Sequence, residues 1–520
     1  MNSELGTLFS GYAYQGSFIT NFTDARGHTT LTQYQAFDQP SQAAPSSISA
    51  PLGVVFNIAR DVFGKPLAIV RSGGGLNATR SYVYDANQRL CKTVEPETGA
   101  TIQDYDLANN VTMRASGLAL TSTFTCDTAS VPANKKITTA FNTMKRPTTT
   151  TYGDASPSVT RTYWSDGLPN TIVSNGSTWT NIFNKRRLNT LEDLLYGAVH
   201  YQIARVYDAN ASLLQLKYPI DNLAIDYLPN ALGEPSKIGT YASAITYYPN
   251  GAVNTFIYGN GIVHSSHQNT RQLPDLNKDM RVTNDSYTYD ANGNVAGIVD
   301  GQLNIANRAM GYDDLDRLTS VSAPQDWGTA SYGYDGLDNL NQTTITGGTA
   351  ARTSTHTIDP VTNRLTGISG GPAAFNFSYG YDSQGNATNR GSQSYVFDQA
   401  NRMTAATGKA TYAYDGLGHR FSVVGTDLVN RIQVYSQAGQ LLQTGAAGTT
   451  GTRYIYLHQH VIAEVAGGVV TYAHTDGLGS PVAQTAVSRT KRNTGLINSV
   501  GRMLQQCDVL SINDERRFIS

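Results

Sequence analysis

The sequence has little charge, few cysteines and no long apolar run, and each shortage excludes something. Asp, Glu, Lys and Arg make up only 15% of the 520 residues. The 38 basic and 39 acidic side chains leave no excess of either sign, which argues against a dedicated nucleic-acid surface or a polybasic membrane binder. Three cysteines, Cys91, Cys126 and Cys507, are too few for a disulfide scaffold, and an odd number leaves at least one thiol free. No apolar run is long enough for a transmembrane helix, so no membrane span is expected. Residues 1–10 lack the basic region and apolar core of a signal peptide. The glycine runs Gly73-Gly-Gly75 and Gly370-Gly371 do not lead into helices, so they imply no phosphate loop.

What is abundant is a recurring phrase. It reads Tyr287-Thr-Tyr289-Asp290-Ala-Asn-Gly293, Tyr312-Asp313, Tyr332-Gly-Tyr334-Asp335, Tyr379-Gly-Tyr381-Asp382, Tyr395-Val-Phe397-Asp398 and Tyr412-Ala-Tyr414-Asp415. The Asp positions step by 23, 22, 47, 16 and 17 residues, and Ile358-Asp359 fills the double step. A fixed period near 20 marks a repeat array. Aromatic residues at i and i+2 share one face of a strand. The Asp followed by Gly or Asn reads as a tight turn, and a β-branched alternating run follows, as in Arg317-Leu-Thr-Ser-Val-Ser322. One unit is therefore strand, turn, strand. The chain is expected to be all-β, with helix under about 15% of residues.

Further copies occur at Phe22-Thr-Asp24, Tyr82-Val-Tyr84-Asp85, Tyr105-Asp106 and Tyr207-Asp208, and poorer ones lie in 115–183 and 218–286. Residues 39–51, rich in Pro, Ser and Ala, read as a loop. Residues 185–196 place Leu188, Leu191 and Leu195 at helical spacing. Strand is the favoured reading there, because Asn184-Lys-Arg-Arg-Leu188 sits where a repeat turn belongs. The pattern runs to 485 with no linker long enough to divide it, and a short divergent tail occupies 486–520.

The repeated Tyr-Asp phrase at this spacing resembles the RHS or YD-repeat family, which includes RHS cores, teneurins and toxin-complex shell proteins. Tyr472-Ala-His474-Thr475-Asp476-Gly-Leu478-Gly479-Ser480-Pro481 resembles the phrase near the end of RHS cores. The resemblance implies a long antiparallel ribbon of hairpins coiled into a partial hollow shell, here under two turns. It implies a non-enzymatic scaffold that encloses or presents a polypeptide such as a toxin, in bacterial competition or delivery. Its partners would be that polypeptide or a secretion-apparatus protein, and its place secreted or at the cell surface. The alternative is a secreted or surface protein that binds glycans or a partner cell, as in teneurins. Self-cleavage of the kind that ends RHS cores would need a segment after residue 485 that is not recognisable here. The tail, with one aromatic residue, Phe518, is too small for an independent enzyme. The chain alone is therefore expected to be neither toxic nor cut near its C-terminus.

No residue is assigned to catalysis, to a cofactor or to a metal. His458 and His460 would share a strand face, but a zinc site needs three or four ligands. His474 with Asp476 has the look of a base and its orienting carboxylate, yet no nucleophile elbow accompanies it, so a packed turn is the favoured reading. The repeat Asp residues fall one per turn and are expected to cap backbone amides rather than surround calcium. The Tyr stripe is read as cross-strand packing, with stacking on sugars as the rival.

Overall fold

The computed structural model describes residues 2–3, 6–7, 11–14, 19–35, 44–119, 125–348, 351–488 and 491–492. Strands hold 57% of the chain, and among the described residues the only helical pieces are four 3₁₀ turns. Within each sheet, every strand pairs antiparallel with the next in sequence. One sheet runs from Gly11–Tyr14 to Ala224–Asp226, and a second, of 25 strands, starts at Ala242–Tyr247. Asn189–Tyr196 is a strand, and Asn184 caps the turn before it by accepting from the amides of Arg186 and Leu188 (2.9 and 3.1 Å). One expectation fails locally. Pro45–Ser49, inside the stretch read as a loop, is a strand between Thr29–Tyr34 and Val55–Arg60. Pro45 is tolerated because it is the first residue of that strand, where a missing N–H costs least.

The turn chemistry explains the repeat. At Asp85, Oδ1 accepts from the amides of Asn87 and Arg89 (2.9 Å each), while Oδ2 takes the Arg89 guanidinium at 2.7 Å. Asp313 and Asp398 repeat this with Arg317 and Arg402. The residue before the turn's end is left-handed, and Gly293 takes φ +99° there, a region that side-chain-bearing residues resist. The Tyr before each Asp reaches back one unit: Tyr105 donates to the Leu90 carbonyl (2.6 Å), Tyr334 to Leu318 (2.9 Å) and Tyr381 to Leu365 (2.7 Å). Where an Arg follows the Asp it reaches forward, with Arg89 over the Tyr105 ring at 4.6 Å and Arg317 over Tyr334 at 4.7 Å. Units with both residues are thus tied to both neighbours. Asp290 makes the same cap to the amides of Gly293 and Asn294 (2.9 Å each). We expect Asp290→Ala to lose about 1 kcal/mol, and an unchanged denaturation midpoint would refute the capping role.

The ribbon coils on itself, and partners across successive circuits show how tightly. Ser116 meets Gln384, Asp154 meets Gln399, Trp179 meets Asp415, and Tyr287 meets Gly477. Those separations fall from 268 residues to 245, 236 and 190. The circuit shortens as it winds, so the described chain completes about two circuits rather than fewer. The result is a partial shell ribbon. Its narrow part is filled rather than hollow. Trp179, Leu194, Tyr201, Tyr218, Ile432 and Ile455 belong to one buried apolar cluster that joins the two sheets. Burying such side chains stabilises this end by roughly 1.5–3 kcal/mol each.

Candidate functional site

The wide part holds a half-open cavity of about 1410 Å³, walled by residues of 48–137 on one circuit and 332–401 on the next. Strand alternation aims one side chain in two at it. The wall mixes apolar groups such as Phe56 and Ile69 with arginines and carboxylates. Arg71 pairs across circuits with Asp338, and within one circuit Arg80 pairs with Glu97 at 2.8 Å. Arg352 lies 4.0 Å over the Phe375 ring. The volume exceeds the roughly 300–1,000 Å³ of ordinary small-molecule pockets, and such a wall suits a chain segment with alternating apolar and charged side chains.

A second constellation lies at the narrow end. His474 is wholly buried, and its carboxylate is not Asp476, as its sequence neighbourhood suggested, but Asp279, 195 residues away. Asp476 instead caps its own turn, accepting from the amides of Leu478 and Ser480. His474 Nδ1 is 2.8 Å from Asp279 Oδ2, and Nε2 is 2.8 Å from Thr485 Oγ1. Asn260 Nδ2 donates to that same hydroxyl at 3.0 Å. The Asp279 carboxylate can only accept, so Nδ1 carries a ring proton and gives it to Asp279. Asp279 Oδ1 takes His264 Nδ1 at 2.7 Å, and Tyr258 donates to Oδ2 at 3.3 Å. Burial pushes the Asp279 carboxyl up, and the hydrogen bonds from His264 and His474 outweigh it, so its pKa is lowered.

Hydroxyl, imidazole and carboxylate stand in the order of a hydrolase triad. The setting differs from one. Thr485 and His474 have no exposed surface, and Thr485 sits in a regularly paired strand opposite Tyr472. No external substrate reaches the hydroxyl, and the network works as a polar latch between circuits. Sequence reasoning missed it because no spacing links Asp279 and Thr485 to His474.

Elsewhere the reading of the residues is refined. Among the described residues no group of three or more His, Cys, Asp or Glu is placed to hold a metal. His458 lies beside the Tyr247 ring, at 5.5 Å. Where the repeat Asp290 and the turn residue Asp316 come close, the cation between them is the Arg26 guanidinium. The repeat tyrosines spend their hydroxyls on the neighbouring unit, a role that cross-strand packing alone did not foresee. Among the described residues no helix is long and apolar enough to cross a membrane. The expectations for the tail beyond residue 492 lie outside the described residues.

One carboxylate is frustrated. Asp285 faces Asp300 directly across a strand pair. Burial, then Asp300, raises it to about 6, with Asp476 adding to the effect. A folded pKa above the unfolded value of about 3.9 means stability is full below pH 4 and is lost as pH rises through 6. Asp285→Asn should therefore stabilise the protein at pH 7 by on the order of 1 kcal/mol, with allowance for partial exposure. The gain should vanish below pH 4 in urea melts, and a pH-independent gain would disprove it.

No family model matches the chain, and no curated protein matches it. Solved structures do. The Tc holotoxin pore of Photorhabdus luminescens, with the mutation TccC3-D651A, aligns over 93% of this chain and 28% of its own at 13% identity and a TM-score of 0.61. TcdB2-TccC3 without its hypervariable C-terminal region aligns over 94% and 29%, at 12% identity and 0.52. The chain has the RHS-repeat shell fold. The Tc toxin neighbours are RHS-repeat shell proteins, and at 12–13% identity the likeness is one of fold. The chain spans under a third of the length of these neighbours.

Proposed function

We propose that this YD-repeat chain is a non-enzymatic wall of a toxin-related shell that holds or presents a polypeptide, and that it works outside the cell that makes it. The carrying observation is the large cavity walled by two successive circuits, with charged and apolar side chains interleaved. The fold shared with Tc toxin shells supports the reading. The Cys91–Cys126 disulfide fits an oxidising compartment. The shell array would occupy 1–485 and the tail 486–520.

The test places an environment-sensitive fluorophore at Thr101→Cys on the cavity wall, with Cys507→Ser to avoid a second label. A permanently unfolded, carboxymethylated polypeptide should blue-shift the emission and gain protection from protease. Its folded counterpart should do neither. An unchanged spectrum with the unfolded chain would sink the proposal.

A further inference from the structure

Cys91 and Cys126 are joined, 35 residues apart. Cys91 is the extra residue of a bulge after the Asp85 turn, because Leu90 pairs with Tyr84 and Lys92 with Val83. A bulge lets neighbouring side chains turn the same way, and Cys91 and Lys92 are both buried, at 2% and 1% exposure. Lys92 Nζ lies 2.6 Å from Asp127 Oδ2. The covalent bond and the ion pair therefore fasten the same two adjacent positions on each side, 91–92 to 126–127.

What they fasten is the seam between circuits. The stretch 125–136 carries the 3₁₀ turns Thr128–Ser130 and Ala133–Lys135. It buries Val131 against Ile102, Met113 and Ala115. Lys135 Nζ donates to Ser383 Oγ of the next circuit at 3.0 Å. Beside it Gln384 Nε2 donates to Ser116 Oγ at 3.0 Å, and a Cβ on Gly117 would stand 2.8 Å from Ser383. These residues adjoin the cavity wall, since Ser116 and Gln384 line it.

We infer that the Cys91–Cys126 bond is a thiol–disulfide exchange site for dithiol reductants, and that its reduction loosens this seam while the repeats stay wound. Cys126 is partly exposed and Cys91 is not, so attack falls on Cys126 Sγ. The reductant's thiolate forms a mixed disulfide there as the S–S bond breaks, and the electron pair leaves on Cys91. The reductant's second thiolate then closes its own disulfide and releases Cys126. Two electrons and two protons pass from the dithiol to the protein. The stretch 125–136 then loses its covalent anchor and is held by non-covalent ones, among them the Lys92–Asp127 pair, Val131, Lys135 and the Gly153 N–H that donates to the Lys136 carbonyl at 2.9 Å. A shell assembled in an oxidising compartment would open at this seam on meeting a reducing one.

The experiment uses the full chain carrying Cys507→Ser, with dithiothreitol as the dithiol and no denaturant. Alkylation and peptide mass spectrometry should find Cys126 modified before Cys91. Hydrogen exchange should rise at least several-fold in 125–136 and 382–386, with residues 436–440 unchanged. Cys126→Ser should reproduce the reduced pattern, and the reduced protein itself carries the test if that variant folds poorly. A bond that stays oxidised until denaturant is added would overturn the inference, as would exchange that is unchanged or rises uniformly.

Discussion

Asp279→Ala is expected to lower stability by about 3–5 kcal/mol, the cost of removing one member of a buried charged network. Asp279 is 1% exposed and is the shared acceptor for His264, His474 and Tyr258. Its loss takes the acceptor from the buried His474 Nδ1 and the largely buried His264 Nδ1, while the Tyr258 hydroxyl keeps the Ala473 carbonyl at 3.1 Å, and each group left unsatisfied costs roughly 1–3 kcal/mol. The network joins the strand Pro274–Asp279 to Val469–Thr475 and Pro481–Ala486, so the variant should open the last circuit rather than the array as a whole. The pH dependence separates this from a packing defect. Because the folded pKa of Asp279 is lowered, its contribution is present above the unfolded value of about 3.9 and is lost as pH falls through the folded value. Guanidinium midpoints of parent and variant should differ widely at pH 7, and the gap should narrow as the pH is lowered below about 4. An equal gap at both pH values would show that the carboxylate is only filling space.

The array was visible in the sequence because its information is local. An Asp that caps amides two and four residues on, a left-handed position after it and a Tyr two residues before the next aromatic all recur within one unit. The same logic separated strand from helix at 189–196, where Asn184 does the capping that Asp does elsewhere. What the sequence concealed is held by single residues on different circuits. His474 finds Asp279 and Thr485, Cys91 finds Cys126, and Arg26 fills an acidic cluster, with no motif spacing to announce any of them. The taper was hidden for a related reason. Circuit length depends on how strongly each strand pair twists, which no single unit records. The short strand Pro45–Ser49 was hidden by composition, since Pro and Ser signal loops unless the register of neighbouring strands places the Pro first.

Trp179→Ala should be as damaging as the loss of Asp279, at about 3–5 kcal/mol. Trp179 has no exposed surface and lies within the large apolar cluster. Its Nε1 donates to Asp415 Oδ2 at 2.7 Å, across 236 residues of sequence. Asp415 is a repeat Asp, and its Oδ1 already accepts from the amides of Leu417 and His419 (2.9 and 2.8 Å). One carboxylate thus caps its own turn and receives the neighbouring circuit. Asp290 also caps its own turn, but its side chain retains 22% exposure, so water can substitute for the cap it provides. Asp415 is 1% exposed, so removing it leaves the Trp179 indole N–H and two amides unsatisfied in a dry site. Asp415→Ala should therefore cost roughly 2–3 kcal/mol, against about 1 for Asp290→Ala. Trp179→Phe keeps much of the ring volume but drops the donor, and belongs between the two alanine variants of this pair. The expected order of destabilisation is Trp179→Ala first, then Asp415→Ala, then Trp179→Phe, then Asp290→Ala. Denaturant midpoints measured at pH 7 give that order directly. If Asp415→Ala and Asp290→Ala lose the same amount, the bond between circuits adds nothing to the cap, and the circuits are held together by apolar burial alone.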